Sequence, residues 1–459
     1  MSKNLRPYQR EAIDAWQAAG SSGILEMATG TGKTFTARNC ILEFLASESR
    51  PVVLVTAPTQ SIAVQWREVL ADLDPVVTFE GPDWPGKLAD RATSQALGLQ
   101  PHVVVIAIQN TASMKRFHEV LDPIIEGSSK SLLVADEVHG VGAPVFRKAL
   151  RTGFQARLGL SATPSRWFDE EGTDVILKYF GGVVFTFGIH EALSWVDPET
   201  GETPLCPYEY DPVFVDLTEH ELARYRAITK RMVELLEMGA TIKRNKDEKS
   251  IEDQELESLT FARADILKKA EFKVTALEAV LGRLGAVRNC LIYCTDREQM
   301  IEAMHVLNAR GLIYKVFTGE EGTLPQNKFG GISEREWILK DFQDGHTQVL
   351  VAMKCLDEGV DIPSAEIGVI MASTTNPREF IQRRGRLLRR SPGKSRARIF
   401  DLVVAPSAPE DADTPEGRAV RSIFYRELRR VEEFARDAID STRANATVVG
   451  QILKMGVGQ

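Results

Sequence analysis

Cysteine is scarce in this chain, and long apolar runs are missing from it. Five of the 459 residues are cysteines, and no two of them form a Cys-x-x-Cys pair. Cys290 and Cys294 flank an apolar tripeptide, which favours two positions on one face of a strand over a zinc site. No apolar run approaches the roughly 20 residues that a membrane-spanning helix needs, and the first residues lack the hydrophobic segment of a signal peptide. We therefore expect a reduced, cytoplasmic protein that has no membrane partner.

Positive charge is not in excess either. Lys and Arg total 56 against 64 Asp and Glu, which gives a formal net charge of -8. This balance argues against a polybasic mode of nucleic-acid binding, although a local basic channel is compatible with it. A chain of 459 residues exceeds what one hydrophobic core usually supports, so we expect two or three domains.

A glycine-rich loop at residues 26–34, with the sequence EMATGTGKT, follows an apolar run and precedes a helical pattern. Glycines let the backbone wrap closely round an anion, and the N-terminus of the next helix offers unpaired N–H groups. Lys33 is expected to reach the β- and γ-phosphates of a nucleotide, and Thr34 to place its hydroxyl on Mg²⁺. The strict pattern has glycine where this chain has Met27, so a chance glycine-rich turn is the alternative. The loop predicts a nucleotide site formed by Thr29, Gly30, Thr31, Gly32, Lys33 and Thr34.

Arg6 and Gln9 precede this loop, near the start of a short helical pattern. The amide of glutamine donates and accepts hydrogen bonds at once, so this pair is a candidate for recognising an adenine edge. A simple helix start is the structural alternative.

Polar residues follow three further apolar strands in the first half of the chain. Pro58 and Thr59 follow the strand at 52–55, Gln109 follows the strand at 103–107, and acidic residues follow the strand at 131–135. The carboxyl ends of strands form the functional edge of an open parallel sheet. Capping of the next helix is the alternative use of these residues.

Asp136 and Glu137 stand directly at the end of a buried apolar strand. A carboxylate there is costly unless it binds something, and beside a phosphate loop that partner is most simply Mg²⁺. We expect Asp136 to hold the ion and Glu137 to orient or deprotonate the attacking water. His139 is a candidate link to the neighbouring domain. The hydroxyls of Ser161 and Thr163, after the next strand, are candidates for coupling nucleotide state to domain closure.

The regular alternation of strands and helices pauses between about residues 195 and 272. A helical pattern covers residues 219–237, and a mixed-charge run covers residues 243–249. A solvated helical hairpin is the favoured interpretation of this insert, and a strand-gripping arm is the alternative. A second series of apolar strands then predicts another parallel sheet.

An arginine-rich segment at residues 382–390, QRRGRLLRR, lies in the second half. Arg386 and Arg389 are three residues apart, which predicts one helical face and, beside a phosphate loop on another domain, a pair of arginine fingers. A solvated basic face is the alternative. After a proline-rich linker, the tail is expected to pack on the second sheet or to dock a partner. Its apolar face would consist of Val420, Ile423, Leu428, Val431, Phe434, Ala435 and Ile439.

Taken in order, these motifs resemble those of the superfamily 2 helicases. Within that superfamily they resemble the DExH branch, which contains the XPB-like translocases and the motor subunits of type I and III restriction enzymes. The resemblance covers residues 5–405 and implies an α/β protein with two tandem RecA-like parallel-sheet domains. The segments similar to motifs I, Ia, II, III, IV, V and VI are residues 28–34, 57–59, 136–139, 161–163, 291–294, 358–363 and 382–389.

The resemblance also implies roles around the nucleotide, which would be ATP. It implies that Gln9 selects adenine and that Asp361 approaches the ribose or the arginine-rich motif. It further implies that Gln382 senses the γ-phosphate.

Nucleic-acid contacts are implied in the same way. Pro58 and Thr59, residues 291–294 and the Gln109 loop would grip the nucleic-acid backbone. Met353 departs from the pattern, because many relatives have a backbone-contacting threonine there.

We therefore expect a nucleotide-binding domain at 1–195, a connecting segment with a helical insert at 196–275, a second domain at 276–405, and a linker and helical tail at 406–459. The expected function is an ATP- and Mg²⁺-dependent motor on DNA, in repair or anti-phage defence. An RNA helicase is one alternative. A nucleotide-gated clamp or assembly subunit is another, although a clamp has no need of Glu137. Because the phosphate loop lies so near the first residue, targeting is expected from the insert, the tail or another polypeptide, such as a nuclease partner.

Overall fold

Two compact units make up the described part of the chain, and the division falls between Leu205 and Cys206. The computed structural model describes residues 4–166, 169–241, 250–322, 325–353, 362, 364–371, 384–405 and 414–454. Each unit is built on its own parallel sheet with helices. The expected fold class, with two parallel-sheet α/β domains, is therefore confirmed.

The sheet of the first unit has seven strands in the described residues. They are β1 (Ser22–Met27), β2 (Pro51–Ala57), β3 (Val76–Val77), β4 (Val103–Ile108), β5 (Lys130–Asp136), β6 (Ala156–Ser161) and β7 (Val183–Phe187). Their order is β3-β4-β2-β5-β6-β1-β7, and every pairing is parallel. Both faces of such a sheet are covered, which explains the continuous apolar runs. All residues of β2 are buried, as this requires.

Helices alternate with these strands. They are α1 (Pro7–Ala18), α2 (Lys33–Ser47), α3 (Gln60–Val69), α4 (Trp84–Ala96), α5 (Gln109–Ala112), α6 (Lys115–Glu126), α7 (Glu170–Phe180) and α8 (Ile189–Ser194). Because the strands are parallel, their carboxyl ends meet at one edge of the sheet, which we call the carboxyl edge. The loops that follow β1, β2, β4, β5 and β6 all start there, and they carry the polar residues singled out from the sequence.

The second unit contains a six-stranded sheet in the described residues, again with parallel pairings throughout. Its strands are β8 (Tyr208–Val215), β9 (Cys290–Cys294), β10 (Tyr314–Phe317), β13 (Val349–Met353), β14 (Ile367–Ile370) and β15 (Ala397–Val404), in the order β10-β13-β9-β14-β15-β8. A small antiparallel ribbon consists of β11 (Pro325–Gln326) and β12 (Ile332–Ser333). Cys290 and Cys294 are the two ends of β9, as the strand interpretation predicted.

Strand β8 lies in the stretch that the sequence suggested was a connecting segment. It pairs along its whole length with β15, so residues 208–215 belong to the second sheet. The sequence pattern did not predict this strand, because Pro212 lacks an N–H and therefore argues against a central strand of a sheet. Within the described sheet β8 has only one neighbour, and proline is tolerated in such an edge strand.

The helices of the second unit are α9 (Glu219–Glu237), α10 (Ile251–Lys268), α11 (Phe272–Arg283), α12 (Arg297–Ala309), α13 (Glu334–Gln343), α14 (Pro415–Arg436) and α15 (Ser441–Lys454). Helix α9 has the bounds that the sequence pattern gave. It packs against α10, and Leu235 and Leu256 are buried between them. The mixed-charge run at 243–249 lies outside the described residues. In the described part of the chain, no helix has the length and apolar character needed to cross a bilayer.

The tail helices pack on the second unit. Phe424 of α14 stacks on Tyr225 of α9 with ring centroids 5.5 Å apart, and Phe434 is buried near the end of α14. Packing on this unit was one of the two interpretations of the tail. One residue of the predicted apolar face is misplaced. Ile439 lies beyond the end of the helix and is 58% exposed, because α14 stops at Arg436.

Candidate nucleotide site

The phosphate loop connects β1 to α2, as the sequence predicted. Gly30 and Gly32 have φ values of 91° and 88°, in the left-handed region that favours glycine. Gly32 is also the N-cap of α2, which begins at Lys33, so the first N–H groups of the helix lie directly behind the loop. This is the local geometry that binds phosphate at a helix N-terminus.

Helix α1 supports the loop from its other side. The Tyr8 hydroxyl and the Gln9 side-chain amide both donate to the carbonyl oxygen of Thr31, at 2.7 and 3.2 Å. The other end of the Gln9 amide accepts a hydrogen bond from the backbone N–H of Arg6 at 3.0 Å. A Cβ atom at Gly32 would lie 2.5 Å from Gln9 Nε2, so only glycine fits there without displacing the amide.

These contacts give Arg6 and Gln9 structural partners within the first unit. Arg6 forms an ion pair with Asp197 at 3.2 Å, and Gln9 is 5% exposed. An amide can make more hydrogen bonds than the two described for Gln9. Adenine recognition by this pair stays a prediction.

The acidic pair lies at the carboxyl end of β5. Asp136 is 7% exposed, and its Oδ1 accepts the backbone N–H of Glu137 at 2.9 Å. Burial, and after it the charge of Glu137, raises the pKa of Asp136 to about 6. A buried carboxylate whose charged form is disfavoured gains from a nearby cation.

Glu137 faces the phosphate loop. Its backbone has a φ of 45°, a left-handed conformation that is uncommon outside glycine and is often found at functional sites. Lys33 Nζ lies 3.8 Å from Glu137 Oε1. The structure therefore brings together the lysine of the loop and the carboxylates after β5, which are over a hundred positions apart in the chain.

His139 connects this pair to the strand next to it. Its Nδ1 lies 3.4 Å from Glu137 Oε2 and 3.3 Å from the hydroxyl of Ser161. The Ser161 hydroxyl in turn accepts the backbone N–H of Thr163 at 3.1 Å. The sequence suggested a link to the neighbouring domain, whereas these contacts of His139 lie within the first unit.

Two buried polar atoms indicate what kind of group fits this site. In the described part of the chain, neither Lys33 Nζ nor Thr29 Oγ1 has a hydrogen-bond partner, although both atoms are buried. Burying such groups without a hydrogen-bond partner is costly, and phosphate oxygens would accept from both. Thr34, the second residue of α2, is half-buried beside them. The residues present therefore fit a bound nucleotide phosphate.

The candidate nucleic-acid contacts of the first unit differ in access. Pro58 and Thr59 are half-buried in the loop after β2, and the Thr59 hydroxyl accepts the N–H of Ile62 to cap α3. Gln109 is 2% exposed, and its amide donates to the carbonyl oxygen of Asp136 at 3.0 Å. Because its side chain is buried, Gln109 does not present it to nucleic acid in this structure. Its contact is with the acidic pair.

Trp66 is the residue at the site that the sequence reasoning missed. Its indole N–H donates to Asp136 Oδ2 at 2.8 Å, and the side chain is fully buried. In the sequence it lies in the stretch after the strand at 52–55, among Val64 and Leu70, and it looks like an apolar position of a helix. No local signal marks this contact, since it depends on the adjacency of β2 and β5 in the sheet.

The arginine-rich segment belongs to the second unit. Arg386 is 7% exposed and lies in a helical turn that ends at Leu387. Arg389 follows that turn, where Lys394 donates to its carbonyl oxygen at 3.0 Å. The spacing of the two arginines suggested one continuous helix. The structure shows that they do not share one. Gln382 and Asp361 lie outside the described residues.

Two family models match the chain. The model described as type III restriction enzyme, res subunit, matches residues 2–166, and the helicase conserved C-terminal domain matches residues 272–391. The first match contains the phosphate loop, the acidic pair and the serine–threonine motif. The second contains the arginine-rich segment.

Curated relatives are similar over nearly the whole chain. A DNA 3'-5' translocase XPB2 of Sulfurisphaera tokodaii is 26% identical over 88% of this chain and 82% of its own length. A putative DNA 3'-5' helicase Rad25 of Halobacterium salinarum is 28% identical over 89% of this chain, which spans 55% of that relative. A DNA 3'-5' helicase XPB of Kineococcus radiotolerans is 24% identical, and the chain spans 61% of it.

Solved structures share the fold. The type ISP restriction-modification enzyme LlaBIII, bound to DNA, aligns with a TM-score of 0.61 and 17% identity over 100% of this chain and 33% of that enzyme. The helicase domain of Hef from Pyrococcus furiosus aligns with a TM-score of 0.51 and 18% identity, over 87% of this chain and 95% of the domain.

Two parallel-sheet units, the first with a phosphate loop facing an acidic pair, define an ATP-hydrolysing protein of the helicase type. More particularly, the chain is similar to XPB-like helicases and translocases, and its first half matches the res subunit of type III restriction enzymes. The resemblance found in the sequence is thus confirmed.

Proposed function

We propose that this protein is an ATP-driven motor that moves along DNA or separates its strands. The observation that carries the proposal is the meeting of Lys33, Asp136 and Glu137 at the carboxyl edge, with Lys33 Nζ buried and without a hydrogen-bond acceptor in the described residues. A clamp or assembly subunit that only changes state when it binds nucleotide has no need of the Glu137 carboxylate beside the lysine. The arrangement favours hydrolysis for that reason.

Each residue has a distinct role in the proposed hydrolysis. Lys33 binds the β- and γ-phosphates, and the N–H groups at the start of α2 bind the same anion. The hydroxyl of Thr34 and the carboxylate of Asp136 hold Mg²⁺. Glu137 orients the attacking water and accepts its proton, with His139 fixing the direction of the carboxylate. When bound, ATP would supply the reactive phosphoryl group, and Mg²⁺ would neutralise charge on its oxygens.

The second unit would complete this site with positive charge. We assign Arg386 and Arg389 as arginine fingers, Gln382 as the γ-phosphate sensor and Asp361 as a contact to the ribose or to the arginines. The match of residues 272–391 to the helicase C-terminal domain supports these assignments. Closing of the two domains on ATP and their opening after hydrolysis would alternate the grip on a strand.

DNA is the proposed substrate. The curated relatives described above carry names that specify DNA, and the type ISP enzyme was solved bound to DNA. Pro58 and Thr59, in the loop after β2, are proposed to contact the phosphate backbone, and such contacts position a strand without specifying its sequence. We further propose a role in DNA repair or anti-phage defence, together with a separate nuclease or targeting protein.

The decisive experiment compares ATPase rates with single-stranded DNA, duplex DNA and RNA at one fixed salt concentration, because nucleic-acid binding is steeply salt-dependent. We expect DNA to stimulate hydrolysis and RNA to stimulate it less. Lys33→Ala and Glu137→Gln should each lower the stimulated rate by a factor on the order of a hundred or more.

The exposed pair Lys115 and Glu119 on α6 provides matched controls, since it carries the same residue types at 92% and 60% side-chain exposure. Lys115→Ala and Glu119→Gln should leave the rate near that of the unmodified protein. A wild-type ATPase rate in Glu137→Gln would show that Glu137 does not activate the attacking water. Stimulation by RNA alone would replace the DNA motor with an RNA helicase.

A further inference from the structure

The Asp136 carboxylate is held by a residue that belongs to none of the motifs discussed above. Trp66 is fully buried, and its indole N–H donates to Asp136 Oδ2 at 2.8 Å. The other carboxylate oxygen accepts the N–H of Glu137. An indole has one donor in a fixed direction, so this hydrogen bond fixes the orientation of the carboxylate.

Trp66 is carried by the helix that follows a candidate nucleic-acid loop. Helix α3 starts at Gln60, directly after Pro58 and Thr59, and Thr59 caps it through its hydroxyl. A displacement of that loop is therefore a displacement of the N-terminus of α3. Trp66 lies less than two turns further along the same helix, so the helix carries such a displacement to the indole.

The next candidate loop reaches the same aspartate. Gln109 begins α5 directly after β4, and its buried amide donates to the backbone oxygen of Asp136 at 3.0 Å. The fit there is close, because a Cβ atom at Gly140 would lie 2.5 Å from Gln109 Oε1. Helix α3, after the loop that follows β2, and Gln109, directly after β4, thus each donate one buried hydrogen bond to Asp136.

We propose that Trp66 and Gln109 are positioning residues that connect these two loops to Asp136, so that DNA bound at the loops changes the affinity of the site for Mg²⁺-nucleotide. This inference rests on the proposed function, because it requires that the loops contact nucleic acid. Coupling of this kind is reciprocal. Mg²⁺-nucleotide must then change the affinity for DNA by the same factor.

The competing explanation is that both hydrogen bonds only stabilise the fold. The chain offers a matched control for each residue within the first unit. Trp16 is 1% exposed, and its indole N–H donates to the carbonyl oxygen of Arg157 at 3.0 Å. Gln95 is 6% exposed, and its amide donates to the carbonyl oxygen of Pro51 at 2.9 Å. Each control removes a side-chain hydrogen bond to a backbone carbonyl that does not involve Asp136.

The test measures the equilibrium affinity of the full chain for a fluorescent ADP, with Mg²⁺ and with EDTA, in the presence and absence of saturating single-stranded DNA. In the unmodified protein we expect DNA to change the Mg²⁺-ADP affinity by roughly 5- to 150-fold, the usual range of such coupling. In Trp66→Phe, DNA should change the Mg²⁺-ADP affinity by no more than about twofold. The substitution should also reduce the gain in affinity from Mg²⁺ by about tenfold, because a buried charged hydrogen bond is lost.

The affinity in EDTA should change by less than about twofold in Trp66→Phe, since no carboxylate–metal contact contributes to it. Gln109→Met should reduce the coupling factor in the same direction. Trp16→Phe and Gln95→Met should leave both the coupling factor and the Mg²⁺ gain at the wild-type values.

Different outcomes separate the two levels of the argument. An unmodified protein whose ATP hydrolysis is stimulated by neither DNA nor RNA contradicts the proposed function, whereas stimulation by DNA without any change in Mg²⁺-ADP affinity overturns the present inference alone. A wild-type coupling factor in both Trp66→Phe and Gln109→Met, or an equal loss in the two controls, overturns the present inference alone. If Trp66→Phe does not fold, as judged by circular dichroism, Gln109→Met with its control decides by the same criteria.

Discussion

Replacing Gly32 by alanine tests how the phosphate loop is built. The structure gives this substitution two costs. The first is backbone strain, because a φ of 88° is unfavourable for any residue with a Cβ. The second is displacement of the Gln9 amide, whose Nε2 would lie 2.5 Å from the new atom. Gly20 isolates the first cost, since its φ is 72° and nothing lies within 4 Å of a Cβ built there.

The magnitudes follow from these contacts. Left-handed backbone costs an L-residue about 1–2 kcal/mol. A displaced Gln9 amide loses its hydrogen bonds to Thr31 and Arg6, and each contributes roughly 0.5–1.5 kcal/mol net. We therefore expect Gly20→Ala to lower the free energy of unfolding of the first unit by about 1–2 kcal/mol. Gly32→Ala should lower it by roughly 2–5 kcal/mol.

Hydrogen exchange followed by mass spectrometry can measure these values, because the amides of β2 and β4 report the opening of this unit separately from the other. A double-mutant cycle with Gln9→Ala sharpens the test. Once the amide is absent, alanine at position 32 retains only the strain, so the two substitutions should be less than additive by roughly 1–3 kcal/mol. Strict additivity, or equal costs at positions 20 and 32, would refute the argument that Gln9 and Gly32 define the loop together.

Two further predictions concern the second unit. Phe434→Ala should lower the free energy of unfolding by about 3–5 kcal/mol, because this buried ring also lies 4.0 Å beneath the Arg384 guanidinium. Tyr425→Ala, at an exposed position of the same helix, should cost less than about 0.5 kcal/mol in the same denaturant titration, and equal costs would contradict the packing of α14. Hydrogen bonds from the Ser333 backbone and hydroxyl lower the pKa of Glu336, so this carboxylate stabilises the fold above its unfolded pKa, and that contribution is lost as pH falls through the lower folded pKa. Ser333→Ala should therefore raise the pKa of Glu336 in an NMR titration, and an unchanged pKa would show that the hydroxyl has no effect.

The parts of the fold that were predictable from sequence are those with a short-range physical signature. An apolar run that ends in a polar residue indicates a buried parallel strand, and β2, β4 and β5 all follow this rule. The phosphate loop was predictable for the same reason, since its glycines, lysine and helix start are contiguous. Strand β8 was missed because Pro212 argues against a strand unless its place at the edge is known.

Roles that depend on distant partners were harder to assign. Thr59 and Gln109 both follow strands, yet one caps a helix and the other is buried against Asp136. Nothing in their local sequence distinguishes them. Arg389 illustrates the converse difficulty, because its spacing from Arg386 suggested one helix, whereas the helical turn ends at Leu387.

By itself, the sequence determined the class of fold, the phosphate loop and the identity of the acidic pair, because each of these is written in neighbouring residues. Tertiary structure alone decided that Trp66 holds the Asp136 carboxylate and that Lys33 lies 3.8 Å from Glu137. The physical reason is the order of strands in the first sheet. Loops that are remote along the chain meet at the carboxyl edge only after β1, β2, β5 and β6 have paired.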